Sequence, residues 1–212
     1  MLRQLIYIIR SMEILEFHGD TVNSRHIVSA VEILERGGIV IYPTDSLYAL
    51  GCDALNNRAI ERLCAIKGIN PDKQLLSIVC ADMSMAAEFA RIDNRAFKLM
   101  KANLPGAFTF ILPGTTRLPK VFKGRRNVGV RIPANAVATG LAEALGHPLL
   151  TTSVEIEDET EATQPESVAM HYEGLADLML DGGPGGVISS TVIDLTDSSD
   201  PVLVRQGAAI LE

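Results

Sequence analysis

The sequence predicts an α/β fold in which one twisted, mixed β-sheet is flanked by helices on both faces. Short apolar runs rich in Val and Ile alternate with stretches of helical periodicity, which is the pattern of an α/β protein. Several short strand-like runs close the chain, and they favour a mixed sheet over a purely parallel one. The 212 residues contain no internal repeat, so we expect residues 12–212 to form one domain. Met12 could serve as a start, and residues 1–11 are therefore interpreted as an N-terminal extension.

The first half of the sequence predicts strands at 12–17, 39–42 and 75–80, with a helix between the last two. The helix at Asn57–Lys67 repeats apolar residues on one stripe and ends at Gly68, a residue that favours the left-handed turn after a helix. A short helix is predicted at 84–90. Asn94 is predicted to cap a further helix that ends before Pro105.

The second half predicts mainly strands, with one more helix. Residues 135–145 are predicted as a helix that ends at Gly146, and residues 155–165, acidic and rich in Thr, as a mobile loop. The glycine-rich stretch 182–186 is interpreted as a simple turn. Strands are predicted at 109–112, 128–132, 149–152, 178–180, 190–195 and Val202–Arg205.

The segment from Gly37 to Gly51 is the most informative part of the sequence. An apolar run ends at Pro43, which cannot donate a hydrogen bond to a sheet, and the polar residues Thr44, Asp45 and Ser46 follow directly. Ligands of open α/β sheets bind beyond the carboxyl ends of strands, so this cluster is a candidate site. An ordinary turn built by Thr and Asp is the alternative interpretation.

Composition excludes several classes of protein. No apolar run approaches the roughly 20 residues that a membrane-spanning helix needs. The three cysteines lie in apolar contexts, which predicts buried thiols in a reducing cytoplasm. No Cys/His spacing matches a metal site, and the common nucleotide-binding fingerprints are absent, so we expect no bound metal and no tightly bound cofactor.

The charge is strongly segregated along the chain. The net charge is −7, yet residues 94–142 contain no Asp or Glu and nine Lys and Arg residues, which leaves 10 basic and 26 acidic residues elsewhere. Such a basic segment in an acidic protein predicts an anion-binding surface, with RNA as the candidate partner. The alternative is a solvated face that pairs with acidic segments elsewhere. The residues assigned to an RNA-binding surface are Arg117, Lys120, Lys123, Arg125 and Arg126.

Further candidates for chemistry lie at other predicted strand and helix ends. Lys67 closes a helix next to Gly68, where its ammonium could meet a phosphate, although a Lys at a helix C-terminus also interacts well with the helix dipole. Arg131 ends an apolar strand, where a charge is costly unless it meets a carboxylate or phosphate. Hydroxyl groups lie at the ends of two other predicted strands, at 151–153 and 189–191, although each could simply satisfy nearby backbone.

A set of short motifs occurs in a specific order over nearly the whole chain from Met12. The motifs are Tyr42-Pro43-Thr44-Asp45-Ser46, Tyr48-Ala49-Leu50-Gly51, Lys67-Gly68, Pro105-Gly106 with Thr109, Gly129-Val130-Arg131-Ile132-Pro133, Thr151-Thr152-Ser153, Ser190-Thr191-Val192-Ile193-Asp194 and Val204-Arg205-Gln206-Gly207. Taken together in this order, they resemble the YrdC/YciO family, and the details around Pro43 and Thr191 are similar to the YciO branch.

The resemblance implies a YrdC-like fold with a basic concave surface that binds double-stranded RNA or tRNA and nucleotides. In the catalytic branch it implies synthesis of threonylcarbamoyl-adenylate from L-threonine, bicarbonate and ATP, with Mg²⁺ accompanying ATP, for modification of a tRNA adenosine. The residues it places against threonine are Thr44, Arg131, Thr151 and Thr191. Those it places against the nucleotide and its phosphates are Lys67, Lys73, Ser153 and Arg205.

The chain departs from the catalytic branch at the phosphate side of this site. Ile69 stands where that branch has an arginine, and a branched alkyl group cannot neutralise a polyphosphate. Glu155 stands where that branch has an asparagine, and its carboxylate repels phosphate. Three hypotheses follow: a cytoplasmic YciO-like protein that binds RNA, nucleotide or both; an active threonylcarbamoyl-adenylate synthase; or a regulatory protein with a vestigial pocket.

Overall fold

The computed structural model of the protein describes residues 11–17, 22–71, 73–122 and 126–212. The strands are β1 (Glu13–Glu16), β2 (Val40–Tyr42), β3 (Ala49–Asp53), β4 (Ser77–Val79), β5 (Phe108–Pro113), β6 (Asn127–Arg131), β7 (Leu149–Ser153), β8 (Leu178–Asp181), β9 (Thr191–Asp194) and β10 (Val202–Arg205). The helices are α1 (Ser24–Glu35), α2 (Asn57–Lys67), α3 (Met83–Phe89), α4 (Asn94–Asn103), α5 (Ala136–Leu145) and α6 (Pro165–His171), with short 3₁₀ helices at Lys120–Phe122 and Glu161–Thr163.

All of these strands hydrogen-bond into one mixed sheet in the order β1-β8-β2-β3-β7-β4-β6-β5-β9-β10. The pairs β1–β8, β2–β8, β4–β6 and β5–β9 are parallel, and the other neighbours are antiparallel. The predicted fold class, a single mixed sheet flanked by helices, is confirmed.

Helices cover both faces of the sheet. Successive strand residues point to opposite sides, and here both sides carry apolar residues that need to be buried. In β7, Leu149 belongs to the apolar core that includes buried residues of α1 and α5. Its neighbour Leu150 belongs to the larger core on the other side, which includes residues of α2, α3, α4 and α6.

Local sequence signals placed several element ends correctly. The bounds of α2 agree with the prediction, and both Gly68 and Gly146 adopt the predicted left-handed conformation, with φ of 63° and 78°. The helix before Pro105 is capped one residue earlier than predicted. Asp93, not Asn94, is the cap, and its Oδ1 accepts the backbone N–H groups of Arg95 and Ala96 at 2.9 Å each.

Other parts of the chain are more ordered than the sequence analysis predicted. Helices α1 and α6 and strand β3 were not predicted. The segment interpreted as a mobile loop at 155–165 contains a 3₁₀ helix in which Ala162 and Thr163 are buried. Most of the interpreted N-terminal extension lies outside the described residues.

The three predicted buried thiols are confirmed: Cys52, Cys64 and Cys80 are buried and unpaired. Within the described part of the chain, no helix is both long and apolar enough to cross a bilayer.

Candidate active site

Small and hydroxyl-bearing residues form one row across four strands of the sheet. The pairing places Gly51 opposite Thr151, Thr151 opposite Ser77, and Ser77 opposite Gly129. Residues that face each other in this way project from the same side of a sheet. Gly129 is required by this packing, because a Cβ atom there would lie only 2.4 Å from the Ser77 hydroxyl.

The row forms part of a cavity of about 220 Å³. Sites for drug-sized ligands span about 300–1,000 Å³, so this cavity suits a smaller molecule. The polar lining residues are Ser77, Thr109, Arg131, Thr151, Thr152, Ser153, Ser190 and Arg205. The apolar lining residues are Leu63, Ile69, Leu75, Leu76, Leu150 and Val192.

Arg131 is the buried charge of this cavity. It ends β6 and is only 5% exposed. Its Nη2 donates to Ser46 Oγ at 3.0 Å and to Asp45 Oδ1 at 3.3 Å. Burial lowers the pKa of Arg131, and the charge of the Asp45 carboxylate opposes that shift. Its buried Nε–H has no hydrogen-bond partner among the described residues, so the guanidinium retains a donor for a ligand.

The polar cluster after β2 positions Arg131. Asp45 Oδ2 accepts the backbone N–H of Ala134 at 2.7 Å, which ties this loop to the segment after β6. The Thr44 hydroxyl accepts the N–H of Ser46 at 3.0 Å and donates to the carbonyl of Leu47 at 2.7 Å. Thr44 therefore stabilises the loop and does not line the cavity.

The glycine-rich stretch interpreted as a simple turn packs against the same loop. The N–H of Gly186 donates to the carbonyl of Ser46 at 2.8 Å, and a Cβ atom on Gly186 would lie 2.3 Å from that carbonyl. The Tyr48 hydroxyl donates to the carbonyl of Gly183 at 2.7 Å and accepts the N–H of Gly182 at 3.0 Å. This close packing against the loop explains why glycines occur in the stretch 182–186. The sequence motif around Pro43 did not predict these contacts.

Tyr42 supports the lining residue Thr151 from strand β2. Their hydroxyl oxygens lie 2.8 Å apart in a fully buried environment. Burial raises the pKa of Tyr42 to about 12, against the lowering effects of the Thr151 hydrogen bond and the Arg131 charge. The phenol is therefore neutral over the physiological range and serves to fix Thr151.

Lys67 lies at the end of α2 and is held by an acidic residue. Its Nζ donates to Glu155 Oε2 at 2.7 Å. The hydrogen bond and the charge of Lys67 lower the pKa of the Glu155 carboxyl. The predicted phosphate-binding ammonium is thus neutralised by the residue that the sequence analysis had identified as repelling phosphate.

Arg205 reaches the cavity from β10. Its Nη2 and Nε donate to the carbonyl of Ser190 at 2.9 Å and 3.3 Å. The Ser190 hydroxyl lies 2.8 Å from that of Thr109. The next residue, Thr191, pairs with Phe108 and directs its hydroxyl to the C-terminal segment, where it accepts the N–H of Gly207 at 2.9 Å.

The cavity brings together four of the predicted small-molecule-binding residues, Arg131, Thr151, Ser153 and Arg205, whereas Thr44, Thr191, Lys67 and Lys73 are not among its lining residues. Four lining hydroxyls, those of Ser77, Thr109, Thr152 and Ser190, were not assigned to the site. The sequence signal that could have identified Ser77 is that it is a single serine inside an apolar strand. The roles assigned to all these residues stay predictions.

The residues assigned to an RNA-binding surface are in different environments. Arg117 forms an ion pair with Glu88, and its guanidinium carbon lies 5.4 Å from the centre of the Phe89 ring. Arg126 is exposed. Lys120 begins a 3₁₀ helix, and Lys123 and Arg125 lie outside the described residues.

Residues 32–207 match the Sua5/YciO/YrdC family model, which is described as "Telomere recombination". The chain belongs to the Sua5/YciO/YrdC family. It is 43% identical over 193 residues to the Escherichia coli "Uncharacterized protein YciO", an alignment that covers 90% of this chain and 93% of that protein. It is 32% identical over 185 residues to a Pyrococcus abyssi "Threonylcarbamoyl-AMP synthase", covering 86% of this chain and 54% of that protein.

Solved structures of this family have the same fold. The E. coli YciO crystal structure superposes with a TM-score of 0.87 at 40% identity, covering 94% of this chain and 97% of that one. P. abyssi Sua5 complexed with L-threonine superposes with a TM-score of 0.81 at 32% identity, covering 92% of this chain and 57% of that one. The predicted family membership and the similarity to the YciO branch are confirmed.

Proposed function

We propose that this chain binds L-threonine through Arg131, with a nucleotide beside it, in chemistry related to threonylcarbamoyl-adenylate formation. The buried Arg131 carries the proposal. A guanidinium fork matches a carboxylate in shape and charge, and burial excludes the water that would compete for it. The unpartnered Nε–H is the donor that the ligand carboxylate would satisfy.

The rest of the cavity suits a small polar ligand. The hydroxyls of Ser77, Thr109 and Thr151 line it and can donate or accept hydrogen bonds with an amino acid. Its volume of about 220 Å³ fits an amino acid better than a whole nucleotide. The P. abyssi relative whose structure contains L-threonine supports the same ligand for this chain.

The nucleotide is proposed to lie at the rim, near Ser153 and Arg205 and towards Lys67. ATP would arrive with Mg²⁺ on its phosphates. Ile69 lines the cavity where an arginine would strengthen polyphosphate binding, so we expect weak ATP binding and slow adenylate chemistry. An active synthase would release pyrophosphate only when both L-threonine and bicarbonate are present.

Calorimetry with L-threonine and with ATP tests this proposal. We expect L-threonine to bind the unaltered protein and to lose at least about tenfold in affinity in Arg131→Lys, because a point charge replaces the fork. The control is Arg117→Lys, since Arg117 does not line the cavity and pairs with Glu88 instead. We expect Ile69→Arg to gain ATP affinity. L-threonine affinity that Arg131→Lys leaves unchanged would refute the proposal.

RNA binding in the cytoplasm is a second candidate function, supported by charge placement on α4. Arg95, Lys98 and Lys101 are exposed and recur every third residue, which places them on one side of that helix. These residues belong to the acid-free segment 94–142. A basic stripe of this kind, together with the exposed Arg126, is suited to double-stranded RNA or tRNA backbone.

Salt-dependent RNA binding tests this second candidate. Neutralising Lys98 and Lys101 to Gln together should weaken binding and reduce its salt dependence, because fewer counterions are released. The control neutralises Arg25 and Arg58, two exposed cations on α1 and α2. Equal losses in both double variants would contradict a specific surface on α4. A chain that binds neither RNA nor small molecules would fit the regulatory alternative.

A further inference from the structure

The ion pair between Lys67 and Glu155 is unequal in exposure. The Lys67 side chain is 8% exposed, whereas that of Glu155 is 80% exposed. A largely buried ammonium needs a nearby anion, and the pair at 2.7 Å supplies one. The carboxylate faces water, so it can leave the ammonium without being buried elsewhere.

The pair lies beside the candidate cavity. Leu63, one helical turn before Lys67 on α2, lines the cavity, and so does Ile69, two residues after Lys67. On the opposite side, Ser153 lines the cavity at the end of β7, two residues before Glu155. A phosphate at this side of the cavity would therefore meet Lys67 and Glu155 together.

Hydrogen bonds hold the main chain at Glu155 and at the residue before it. The N–H of Glu155 donates to the Tyr172 hydroxyl at 2.9 Å, and Tyr172 is only 3% exposed. The preceding residue, Val154, donates its N–H to the carbonyl of Tyr48 at 2.9 Å. Because the main chain is held at Val154 and at Glu155, the Glu155 side chain starts from a fixed position, from which its carboxylate reaches Lys67.

We propose that Glu155 is a specificity-determining residue that competes with phosphate for the Lys67 ammonium. This inference rests on the proposed function of the cavity. It identifies Glu155 as the residue that weakens nucleotide binding there. A polyphosphate has to displace the Glu155 carboxylate before it can use Lys67, and the displaced carboxylate then repels it. L-threonine uses the Arg131 Nε–H, which has no partner among the described residues, and need not displace the Asp45 carboxylate held by Nη2. The cavity therefore discriminates between an amino acid and a polyphosphate.

The test compares pyrophosphate and L-threonine binding by calorimetry at one fixed ionic strength. Glu155→Gln and Glu155→Asn should bind pyrophosphate about tenfold more tightly than the unaltered protein, since removing one charge at close range is worth about that much. Glu157→Gln removes the same charge two residues away on an exposed side chain and should change pyrophosphate affinity less than about twofold. L-threonine affinity should be the same in all three variants.

A double variant shows whether the effect acts through Lys67. In Lys67→Gln combined with Glu155→Gln, the gain in pyrophosphate affinity should disappear. Unchanged affinity in Glu155→Gln and Glu155→Asn, no pyrophosphate binding by any variant, or a gain that survives the loss of Lys67 would each overturn the inference. L-threonine binding is read separately in the same experiment, and its absence would instead count against the proposed function.

Discussion

Arg131 Nη2 donates a hydrogen bond of 3.0 Å to Ser46 Oγ, which joins the end of β6 to the loop after β2. Both residues are buried, at 5% and 4% exposure. The bond therefore connects the buried charged residue of the cavity to the segment after Pro43, the most informative part of the sequence. It makes the polar cluster after Pro43 a support for the guanidinium.

Removing the Ser46 hydroxyl should destabilise the protein. Ser46→Ala leaves a buried guanidinium with one fewer acceptor, and we expect a loss of about 1–3 kcal/mol in the free energy of unfolding. Chemical denaturation measures it. Ser84→Ala, at an exposed position in α3, is the control and should change the free energy by less than about 0.5 kcal/mol. Equal effects would contradict the role given to Ser46.

Two glycine-to-alanine substitutions should have opposite effects on stability. Gly186→Ala places a methyl group 2.3 Å from the Ser46 carbonyl, and we expect a loss of about 1–3 kcal/mol in the free energy of unfolding. Gly140→Ala in α5 meets no atom within 4 Å, and a helical alanine should stabilise the protein by about 0.5–1 kcal/mol. Denaturation of both variants checks the pair, and a stable Gly186→Ala would show that the glycine-rich stretch does not pack as described.

Tyrosine ionisation should couple to unfolding at high pH. Burial raises the pKa of Tyr42 to about 12, and it also raises the pKa of Tyr48 and Tyr172. The folded state thus favours the neutral phenols. The stability that neutral Tyr42 contributes is complete below pH 10 and is lost as the pH rises through about 12. Phenolate absorbance should show late ionisation in the native protein, and Tyr42→Phe should remove one late group. Ionisation of all tyrosines near pH 10 while the protein stays folded would contradict this account.

The cysteines should be unreactive in the native state. Burial raises the pKa of Cys52, Cys64 and Cys80, and a thiolate is the reactive form. A thiol-specific reagent should therefore modify none of them in the folded protein and all three after unfolding in denaturant. Rapid modification of any of them without unfolding would show that its thiol is accessible.

The sequence predicted those features that are determined by residues close together in the chain. The left-handed glycine at Gly68, the bounds of α2 and the hydroxyls at the end of β7 could all be inferred from neighbouring residues. Arg131 was identified because a charge at the end of an apolar strand needs a partner.

Features that depend on strand pairing could not be predicted in this way. Ser77 joins the cavity only because β4 lies between β7 and β6, and Thr191 faces the C-terminal segment only because it pairs with Phe108. The ion pair of Lys67 and Glu155 joins residues 88 positions apart. Such contacts follow from the order and register of the strands, which periodicity does not encode.

The most direct test of the central claim is the nuclear magnetic resonance signal of the Arg131 Nε–H group during titration with L-threonine. The account predicts that this signal shifts on addition of L-threonine, because the ligand carboxylate accepts the unpartnered donor. L-threoninol, which lacks the carboxylate, should leave it unchanged. Binding of L-threonine with no shift at Arg131, or an equal shift with L-threoninol, would contradict the claim that Arg131 holds the carboxylate of the ligand.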